Sequence, residues 1–581
     1  MKSLIKWFLP LLVSAYVEQG SLAAYGAVSD YWPADSWPQW RRDPAKNAFN
    51  PVSTLPATLP ETFWRFPTPA NAANSSPAVV NGKVFFGSSD GTVYCLKQIT
   101  ANANGERIWS YTTGGRIWSA PAVAYNRVFV TSRDGYLYCF KETPTNLPSG
   151  EVLWKKFIGP ISIMNPSPCV VNGRVFVGSE TGYLSCFDAL STNSNGTLLW
   201  QYYCGGWIHS SPAFAEGRVY IGTSGPLPTN GYRLYCLKAE TTNALGESFW
   251  SFRIGDKANG MLITPTVADG KVYFSADDGW LRCLDATNGA VLWQRFIQQM
   301  DGPSPAVAFG RVYKTYEARK GLDCWEAVPA TDPGTDGELI WSYPDSGVDR
   351  TGATVADGKV LHTSWDDKLY CFDALTNRTN ILWTFSPIDM PGSQGIGSAP
   401  SIANGLIFVG DGNGLRALRP RGGNLPPSVS AAAAPGSGQR VNFSASASDL
   451  DGSIASYQWR FGDGETSTNP NPTHAYAAAG NYIASVRATD NQGAQNETTV
   501  FVSVKLNPAW RMNIRQETNA VRLGWAGGVE ARQFLERCSD LGDSNDVWET
   551  IWTNNQPVPP PASFVDQVGA NRQNFYRLRV E

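Results

Sequence analysis

An internal repeat constrains the fold of this 581-residue chain more than any other feature of its sequence. The segment SSPAVVNGKVFFGSSDGTVYCLK at 75–97 returns in altered form at 119–141 and at 166–188. Five weaker copies begin near Ser210, Thr264, Ser304, Gly352 and Ser398. The tryptophans that run in step with the eight copies are Trp64, Trp109, Trp154, Trp200, Trp250, Trp293, Trp341 and Trp383. They are 42 to 50 residues apart, and a period of this length indicates a solenoid or a propeller.

Turn signals divide each period into four short strands. The first two apolar runs, strands A and B, are joined by a pair of residues that tolerates the positive φ of a two-residue hairpin. These pairs are Asn81-Gly82, Asn172-Gly173, Asp269-Gly270, Asp357-Gly358 and Asn404-Gly405. A second turn, such as Asp90-Gly91, leads to strand C, and the tryptophan lies on strand D. Four antiparallel strands per period predict a propeller blade, because a helical solenoid would need apolar residues at three- and four-residue spacing.

The order of the strands predicts how the ring closes. The first marker is a D strand, at Trp64, and the last is an A-B-C set that ends near Leu418. The final blade should therefore combine strands from both ends of the repeat region, which hides the two edges that an open array would expose. Each tryptophan buried between blades removes roughly 150 to 250 Å² from water, which is about 4 to 6 kcal/mol before any opposing cost.

Composition argues against several functions. The net charge is −3 with no block of like charge, so we expect no nucleic-acid partner. The three histidines, His209, His362 and His474, lie far apart, which argues against a histidine-rich metal site. The sequence contains no His-Glu-x-x-His or phosphate-loop motif, and we assign no catalytic residue. A carboxylate pair for glycoside hydrolysis has no sequence signature, so that activity stays open.

The ends of the repeats carry a family resemblance. The segments LDATNGAVLWQ at 284–294 and FDALTNRTNILW at 372–383 follow ADGKVYFSADDGWLRC and ADGKVLHTSWDDKLYC. They resemble the pyrroloquinoline-quinone-type (PQQ-like) propeller repeat, and the resemblance covers roughly residues 60–420. Similar proteins include quinoprotein dehydrogenases and cofactor-free propellers, one of them an assembly lipoprotein of the bacterial outer membrane. The resemblance implies an eight-bladed propeller and leaves the chemistry open.

Cysteine usage tests the quinoprotein alternative. Seven cysteines occupy one repeat position, with Ala417 as the eighth equivalent: Cys95, Cys139, Cys186, Cys236, Cys283, Cys324 and Cys371. Alanine is usual at that position in similar proteins, so we expect small buried residues and few or no disulfides. Quinone-dependent relatives carry an adjacent cysteine pair and acidic calcium ligands, but this chain has no Cys-Cys and no Cys-x-x-Cys-His segment.

Several aspartates are candidate metal ligands, namely Asp90, Asp277, Asp301 and Asp411. Aspartate is also favoured in tight turns for backbone reasons alone, and we prefer that interpretation for each of them. We therefore predict neither a metal site nor a cofactor, with PQQ and calcium as the alternative.

The loops that enter strand A, together with the turns between strands B and C, should crowd one mouth of the ring. Loops of this kind carry binding residues on many scaffolds. The candidate ligand-binding residues are Trp118, Met164, Trp207, His209, Met261, Met300, Asp301, Arg350 and Gln394. Their aromatic and methionine side chains suit an adaptable apolar patch for a peptide or a glycan. The alternative is that they fill the central channel as packing.

The first residues have the layout of a signal peptide. Lys2 and Lys6 precede an apolar run from Trp7 to Ala15, and small residues suited to cleavage follow. An uncleaved membrane anchor would need about 20 apolar residues, which this run does not reach. We predict a signal peptide at 1–23, an N-terminal extension at 24–59 and no transmembrane segment.

A new pattern follows a Gly/Pro linker at 421–428. The run SASDLDGSIASYQWRFGDGETSTNPNPTHAYAAAGNYIASVRATDNQG resembles a polycystic-kidney-disease (PKD) domain, an immunoglobulin-like sandwich. We place this domain at 429–505, with Trp459 in its core. Asp449 and Asp451 are candidate calcium ligands, although a structural role is the preferred interpretation. Residues 508–581 resemble, more loosely, a fibronectin-like β-sandwich.

These features predict an all-β protein, an eight-bladed propeller at 60–420 followed by two small β-sandwiches. We interpret it as an exported, non-catalytic binding or scaffold protein in the periplasm or at the cell surface. Its expected partner is a protein or a polysaccharide of the cell envelope, and we expect a monomer. The alternative is a PQQ-dependent quinoprotein dehydrogenase.

Overall fold

A computed structural model describes most of the chain from residue 32 to residue 580. The positions outside the description are 1–31, 34, 40, 70–74, 162–165, 225–231, 256–263, 298–302, 317–320, 328–337, 345–350, 365, 387–397, 413, 437–438, 479, 505–510, 518–519, 527–532, 539–548, 555–561, 568–574 and 581. From residue 511 to 549 and from 551 to 580, the backbone alone is described. The predicted signal peptide at 1–23 lies outside the described residues. Within the described part, no helix has the length and apolar character needed to cross a membrane.

Every regular element in the described part is a β-strand, and the repeats form eight sheets with a short β1 (Phe49–Asn50) beside one of them. Blades 1 to 4 consist, in the order A to D, of β3 (Ala78–Val80), β4 (Lys83–Gly87), β5 (Thr92–Lys97) and β6 (Arg107–Thr112); β7 (Ala122–Ala124), β8 (Arg127–Thr131), β9 (Tyr136–Lys141) and β10 (Val152–Phe157); β11 (Cys169–Val171), β12 (Arg174–Gly178), β13 (Tyr183–Asp188) and β14 (Leu198–Tyr203); and β15 (Ala213–Ala215), β16 (Arg218–Gly222), β17 (Tyr232–Lys238) and β18 (Ser248–Gly255). Blades 5 to 7 consist of β19 (Thr266–Ala268), β20 (Lys271–Ser275), β21 (Trp280–Asp285) and β22 (Val291–Phe296); β23 (Ala306–Ala308), β24 (Arg311–Tyr316), β25 (Gly321–Glu326) and β26 (Leu339–Tyr343); and β27 (Thr354–Ala356), β28 (Lys359–Ser364), β29 (Lys368–Asp373) and β30 (Ile381–Phe385). Blade 8 takes A to C from β31 (Ser401–Ala403), β32 (Leu406–Asp411) and β33 (Gly414–Arg419), and D from β2 (Glu61–Pro67).

The eight sheets form a closed ring. The A strands of successive blades contact each other from blade 1 to blade 7, and the A strand of blade 8 contacts that of blade 1. Strand β2 pairs antiparallel with β33, which places Trp64 opposite Ala417. Beside this seam, the Arg65 guanidinium donates two hydrogen bonds to the Asp411 carboxylate, of 2.9 and 3.1 Å. The fold-class prediction is therefore confirmed, including the last blade built from both ends of the repeat region.

The A–B hairpins use left-handed backbone at both central residues. Asn81 and Gly82 have φ of 55° and 68°, and the other four predicted pairs behave alike. Blades 2, 4 and 6 reach the same geometry with Tyr125, Glu216 and Phe309 in the first position, at φ of 57°, 49° and 53°. In those three blades the two flanking strands impose a conformation that the side chain itself disfavours.

The repeat tryptophans lie between the blades. Trp109 is fully buried, lies opposite Cys95 in the sheet register, and donates its indole N–H to the Glu142 carbonyl of the next blade over 2.9 Å. The equivalent acceptors elsewhere are Gln98 for Trp64, Ala239 for Trp200, Ala286 for Trp250 and Ala327 for Trp293. Trp250 is half-buried, whereas the other seven are buried. Each of these five indoles thus packs between two blades and donates one hydrogen bond to the backbone of the next blade.

Hydroxyl groups add a second set of links near the axis. In each link, a serine or threonine hydroxyl donates to a backbone carbonyl of a neighbouring blade. The hydroxyl lies at the start of its blade or on one of the inner strands. These bonds are Ser75 to Ser119, Thr131 to Pro166, Thr266 to Pro305, Thr315 to Thr351, Thr354 to Pro400 and Ser401 to Pro77. They leave fewer backbone carbonyls unpaired where neighbouring blades meet.

The chain divides into two compact units. The first comprises Met1–Val429, Ala447–Ala455 and Ala488–Thr498, and the second comprises Ser430–Ser446, Ser456–Arg487 and Thr499–Glu581. After the propeller the strands are β34 (Ser428–Pro435), β35 (Arg440–Ser448), β36 (Ile454–Arg460), β37 (Thr466–Ser467), β38 (Thr473–Ala475), β39 (Gly480–Asp490), β40 (Gln495–Val504), β41 (Arg511–Glu517), β42 (Ala520–Ala526), β43 (Gln533–Cys538), β44 (Glu549–Asn554), β45 (Ala562–Gln567) and β46 (Phe575–Val580). The sheet orders are β34-β35-β38, β37-β36-β39-β40, β41-β42-β45 and β44-β43-β46. The domain boundaries named above stay predictions.

The segment assigned to the PKD domain has an aromatic core. Trp459 is fully buried, its ring lies 5.0 Å from that of Phe443, and its indole N–H donates to the Pro470 carbonyl. The Tyr476 hydroxyl donates to the Phe461 carbonyl over 3.0 Å. Trp459 therefore fills the core of this sandwich as predicted.

Candidate functional site

Two described loops that enter strand A, those before blades 2 and 4, dock on B–C turns, and we call the surface that they form with these turns the loop face. The Ile117 and Ile208 amides donate to the Ser88 and Ser179 carbonyls, each over 3.1 Å. A Cβ atom at Gly178 would lie 2.2 Å from the Ile208 side chain. Glycine is therefore required at position 178, because the Ile208 side chain packs directly on its backbone.

His209 lies on the loop face and is committed to two neighbours. Its Nδ1 is 2.8 Å from the Ser224 hydroxyl, and its Nε2 is 3.3 Å from a carboxylate oxygen of Glu180. Burial lowers the pKa of His209, an effect that the Glu180 carboxylate opposes. A neutral imidazole that donates from Nε2 to Glu180 and accepts at Nδ1 from Ser224 satisfies both contacts.

The order of hydroxyl, imidazole and carboxylate is the order found in nucleophilic relays. In this chain Ser224 is 1% exposed and His209 is 9% exposed. The Ser224 amide also donates to the Trp207 carbonyl over 2.7 Å, and the Trp207 ring lies 5.8 Å from the imidazole. The geometry shows that these four residues tie a loop to two B–C turns.

Trp118 occupies the position in its loop that His209 occupies two blades later. Its indole N–H donates to the Ser89 hydroxyl over 3.0 Å, and the Arg133 guanidinium lies 4.8 Å from the ring centroid. Ser89 and Glu180 hold the same place in their B–C turns. The sequence analysis did not identify Ser89, Arg133 or Glu180 as partners, although the register of the repeats could have indicated the first and the third.

The structure therefore brings together Trp207 and His209 and gives Trp118 separate partners. The remaining candidate residues lie outside the described residues: Met164, Met261, Met300, Asp301, Arg350 and Gln394. Their assignment to a ligand-binding mouth stays a prediction.

Aspartates of the B–C turns bond to the turn and to the strand that follows it. Asp90 accepts from the Thr92 amide over 2.8 Å and from the Tyr94 hydroxyl over 2.9 Å. Burial, followed by this carboxylate, raises the pKa of Tyr94 to about 12. The same pairing four residues apart joins Asp134 to Tyr138 and Asp366 to Tyr370. These bonds explain such aspartates by turn geometry.

A quinone and calcium centre would need several acidic side chains close together. The described residues contain no group of three or more His, Cys, Asp or Glu side chains arranged to hold a metal ion. The nine described cysteines are unlinked and buried. Burial raises the pKa of Cys139 and of Cys204 to about 12, so these thiols stay protonated. The described residues do not fit such a centre, and we derive no step through it.

The axis of the ring holds the chain's own N-terminal segment, residues 35–50, described except at position 40. Its backbone carbonyls accept from the inward-facing amides of strand A in six blades: Trp37 from Val79, Pro38 from Val123, Pro44 from Phe214, Ala45 from Val267, Asn47 from Val307 and Ala48 from Val355. In blade 3 the Gln39 side chain accepts from the Val170 amide, and in blade 8 the Asn50 side chain donates to the Ile402 carbonyl. The segment thus contacts the eight inner strands in blade order, one full circuit of the ring.

Acidic side chains meet at one end of the PKD segment. The Asp451 carboxylate accepts from the Leu425 amide, and the Asp490 carboxylate accepts from the Asn424 side chain. Burial and the carboxylates of Asp451 and Asp490 raise the pKa of Asp449. The negative charges of these carboxylates repel each other, and burial strengthens this repulsion.

Comparison with known proteins decides the family. The profile described as outer membrane protein assembly factor BamB matches residues 49–145, 143–229 and 227–321, and the PKD domain profile matches residues 424–504. The chain is a PQQ-like repeat propeller with a PKD domain. The outer membrane protein assembly factor BamB of Yersinia pestis is 34% identical over 112 residues, which are 18% of this chain and 25% of that protein. In this match the chain covers about a quarter of the length of the relative.

Solved structures agree on the fold of the PQQ-like repeat propeller. Quinohemoprotein alcohol dehydrogenase from Comamonas testosteroni matches with a TM-score of 0.51 and 15% identity, over 69% of this chain and 82% of that one. Quinohemoprotein alcohol dehydrogenase ADHIIG from Pseudomonas putida HK5 matches with a TM-score of 0.50 and 14% identity, over 66% and 76% of the two chains. At this identity the likeness concerns the fold and not the activity.

Proposed function

We propose that this protein is an exported propeller that binds a protein partner in the periplasm and acts as a scaffold at the cell envelope. The observation that carries the proposal is the filled axis. Because residues 35–50 occupy the ring at the level of the inner strands, the propeller offers a partner its outer surfaces. The profile match at 49–321 to an outer membrane protein assembly factor supports a protein partner over a polysaccharide. A monomer is part of the same proposal.

The loop face is the surface we assign to the partner. Trp118 and Trp207 are half-buried there, each with its ring held by neighbouring side chains. Rigid aromatic side chains with a polar handle suit protein recognition, since little side-chain entropy remains to be lost on binding. His209 is held by Ser224 and Glu180, and the nine described cysteines are buried, which supports a binding role over a catalytic one.

Site-specific photo-crosslinking in cells tests the proposal. A photoreactive amino acid is placed at Arg116, an exposed position two residues before Trp118, and in a matched variant at Lys97, an exposed position beside the A–B turn of the same blade. We expect an envelope protein to be captured from Arg116 and not from Lys97. Equal capture from both positions, or none from either, would contradict a loop-face binding site.

The quinoprotein alternative is tested separately. The purified chain is incubated with PQQ and calcium, and the bound chromophore and alcohol-dependent dye reduction are measured. Stoichiometric binding with turnover would overturn the non-catalytic proposal. A glycan and peptidoglycan binding screen tests the polysaccharide alternative in the same way.

A further inference from the structure

We propose that the inner wall of the ring is a peptide-binding site and that residues 35–50 are its resident ligand. This inference does not depend on the envelope partner proposed above. The ligand class is a curled peptide, recognised by its backbone carbonyls and by one arginine side chain.

The inner edges of the blades face the axis of the ring. Strand A is the innermost strand of each blade, so one row of its N–H and C=O groups faces the axis unpaired by its own sheet. The segment supplies acceptors to the central amide of strand A in seven blades and a donor to the eighth. Recognition through main-chain hydrogen bonds to exposed strand edges is how proteins bind extended peptides.

The backbone of the segment is strained at four residues. Arg41, Arg42, Lys46 and Ala48 have positive φ, at 57°, 72°, 62° and 57°. Each costs a non-glycine residue about 1 kcal/mol or more, so the free segment would not adopt this path. The curl is imposed by the wall, in the same sense that a bound peptide takes the shape of its site.

The Arg41 side chain lies in a pocket of the inner wall. Arg41 is 2% exposed, its Nε donates to the Lys46 carbonyl over 3.1 Å, and one of its terminal nitrogens donates to the Pro305 carbonyl over 2.7 Å. A Cβ atom at Gly352 would lie 2.0 Å from the other terminal nitrogen. Glycine at 352 thus leaves the space that the guanidinium occupies. Burial lowers the pKa of Arg41 to about 9, so the group stays charged at neutral pH.

The segment leaves the axis past blades 7 and 8. The Ser53 hydroxyl accepts from the Gly405 amide, and the Leu55 amide donates to the Asp357 carboxylate. Residues 57–59 are exposed, and β2 begins at Glu61. Cutting the chain at 57–59 therefore separates the segment from the ring and leaves the strand that closes blade 8 in place.

The experiment uses the full mature chain with a protease recognition sequence inserted at 57–59. The protein is cut, the fragment is removed in urea, and the ring is refolded with or without a synthetic peptide of residues 32–56. We expect one peptide to bind to each ring. The melting temperature of the ring with peptide should then equal that of the cut protein that still holds its fragment. The uncut protein should bind no peptide, because its site is occupied.

Matched variants test the pocket. A peptide carrying Arg41→Ala should bind at least about tenfold more weakly, because it loses buried charged hydrogen bonds. The Gly352→Ala ring should lose affinity for the native peptide and lose little for the Arg41→Ala peptide, which no longer fills that space. Three results would each overturn the proposal: equal binding of both peptides to the native ring, binding of peptide to the uncut protein, or a melting temperature that the peptide does not change.

Discussion

The tryptophans of blades 1 and 2 offer a matched pair in which one hydrogen bond is present and the other is absent. Trp109 is 0% exposed and Trp154 is 1% exposed, and each lies between two blades. The indole N–H of Trp109 donates to the Glu142 carbonyl. Among the described residues, no acceptor bonds to the indole N–H of Trp154. The carbonyl at the place equivalent to Glu142, that of Ala189, accepts instead from Arg127 over 2.8 Å.

We predict that Trp109→Phe destabilises the propeller more than Trp154→Phe does. Both substitutions remove similar buried area, so the packing costs should nearly cancel in the comparison. Trp109→Phe also loses a hydrogen bond worth about 1 kcal/mol net. Trp154→Phe instead removes a buried unpaired donor, whose desolvation costs at least about 1 kcal/mol. The two variants should therefore differ by about 2 kcal/mol in the free energy of unfolding, the sum of these two estimates.

Urea unfolding of the full mature chain, followed by far-UV circular dichroism, measures the difference. Circular dichroism is preferred because the substitutions change the indole fluorescence itself. The midpoint for Trp109→Phe should fall below that for Trp154→Phe at an unchanged slope. Leu245→Ala, at a residue 72% exposed, is the control for handling and should match the native chain. Equal midpoints for the two tryptophan variants would refute the inference that their indole hydrogen bonds differ.

Three further predictions concern other contacts. Gly178→Ala should cost about 1 to 3 kcal/mol by overpacking Ile208, and Ile208→Ala in the same chain should recover part of that loss in urea titrations. Asp449→Asn should raise the free energy of unfolding of the PKD domain at pH 7 by less than about 1 kcal/mol, seen as a higher melting temperature, because a raised carboxyl pKa means that stability falls as the pH rises through that pKa. That gain should vanish below about pH 3, where the carboxyl is protonated in both states. Native protein should react slowly with Ellman's reagent, since Cys139 and the other described cysteines are buried, and fast labelling of several thiols would contradict the packing.

The repeat made the ring predictable because each blade repeats one local code. Turn pairs such as Asn81-Gly82 fix the hairpin, and the tryptophan spacing fixes the number of blades. Closure followed from strand order alone, and Trp64 does lie opposite Ala417, as its repeat position requires. Each of these features depends on residues close in sequence or on a position counted within a period.

The circuit of the N-terminal segment was not predictable in the same way. It contacts eight strands spread over more than 300 residues, and six of these contacts are bonds between main-chain groups, which carry no residue code. Residues 24–59 were therefore assigned only as an extension. The hydrogen bond between His209 and Glu180 also required the structure, because the repeat register indicates which turn a loop meets and not which side chains bond there.

The segment that fills the axis, residues 35–50, continues along the chain into β2, the strand that closes blade 8. Blade 7 has no following C–D loop to accept from its tryptophan, since strand C of blade 8 leads into the linker, and the Trp383 indole donates instead to the Pro56 carbonyl over 2.9 Å. One stretch therefore fills the axis, covers this indole and supplies β2. Removal of the N-terminal residues up to 35 should lower the melting temperature little. Removal up to residue 51 should lower it further, and removal up to residue 58 further still. Removal of β2 as well should prevent ring closure. Calorimetry on this series of truncated chains checks the order. If a chain lacking residues 24–51 has the same melting temperature as the native chain, the axis contacts contribute nothing and β2 accounts for the whole effect.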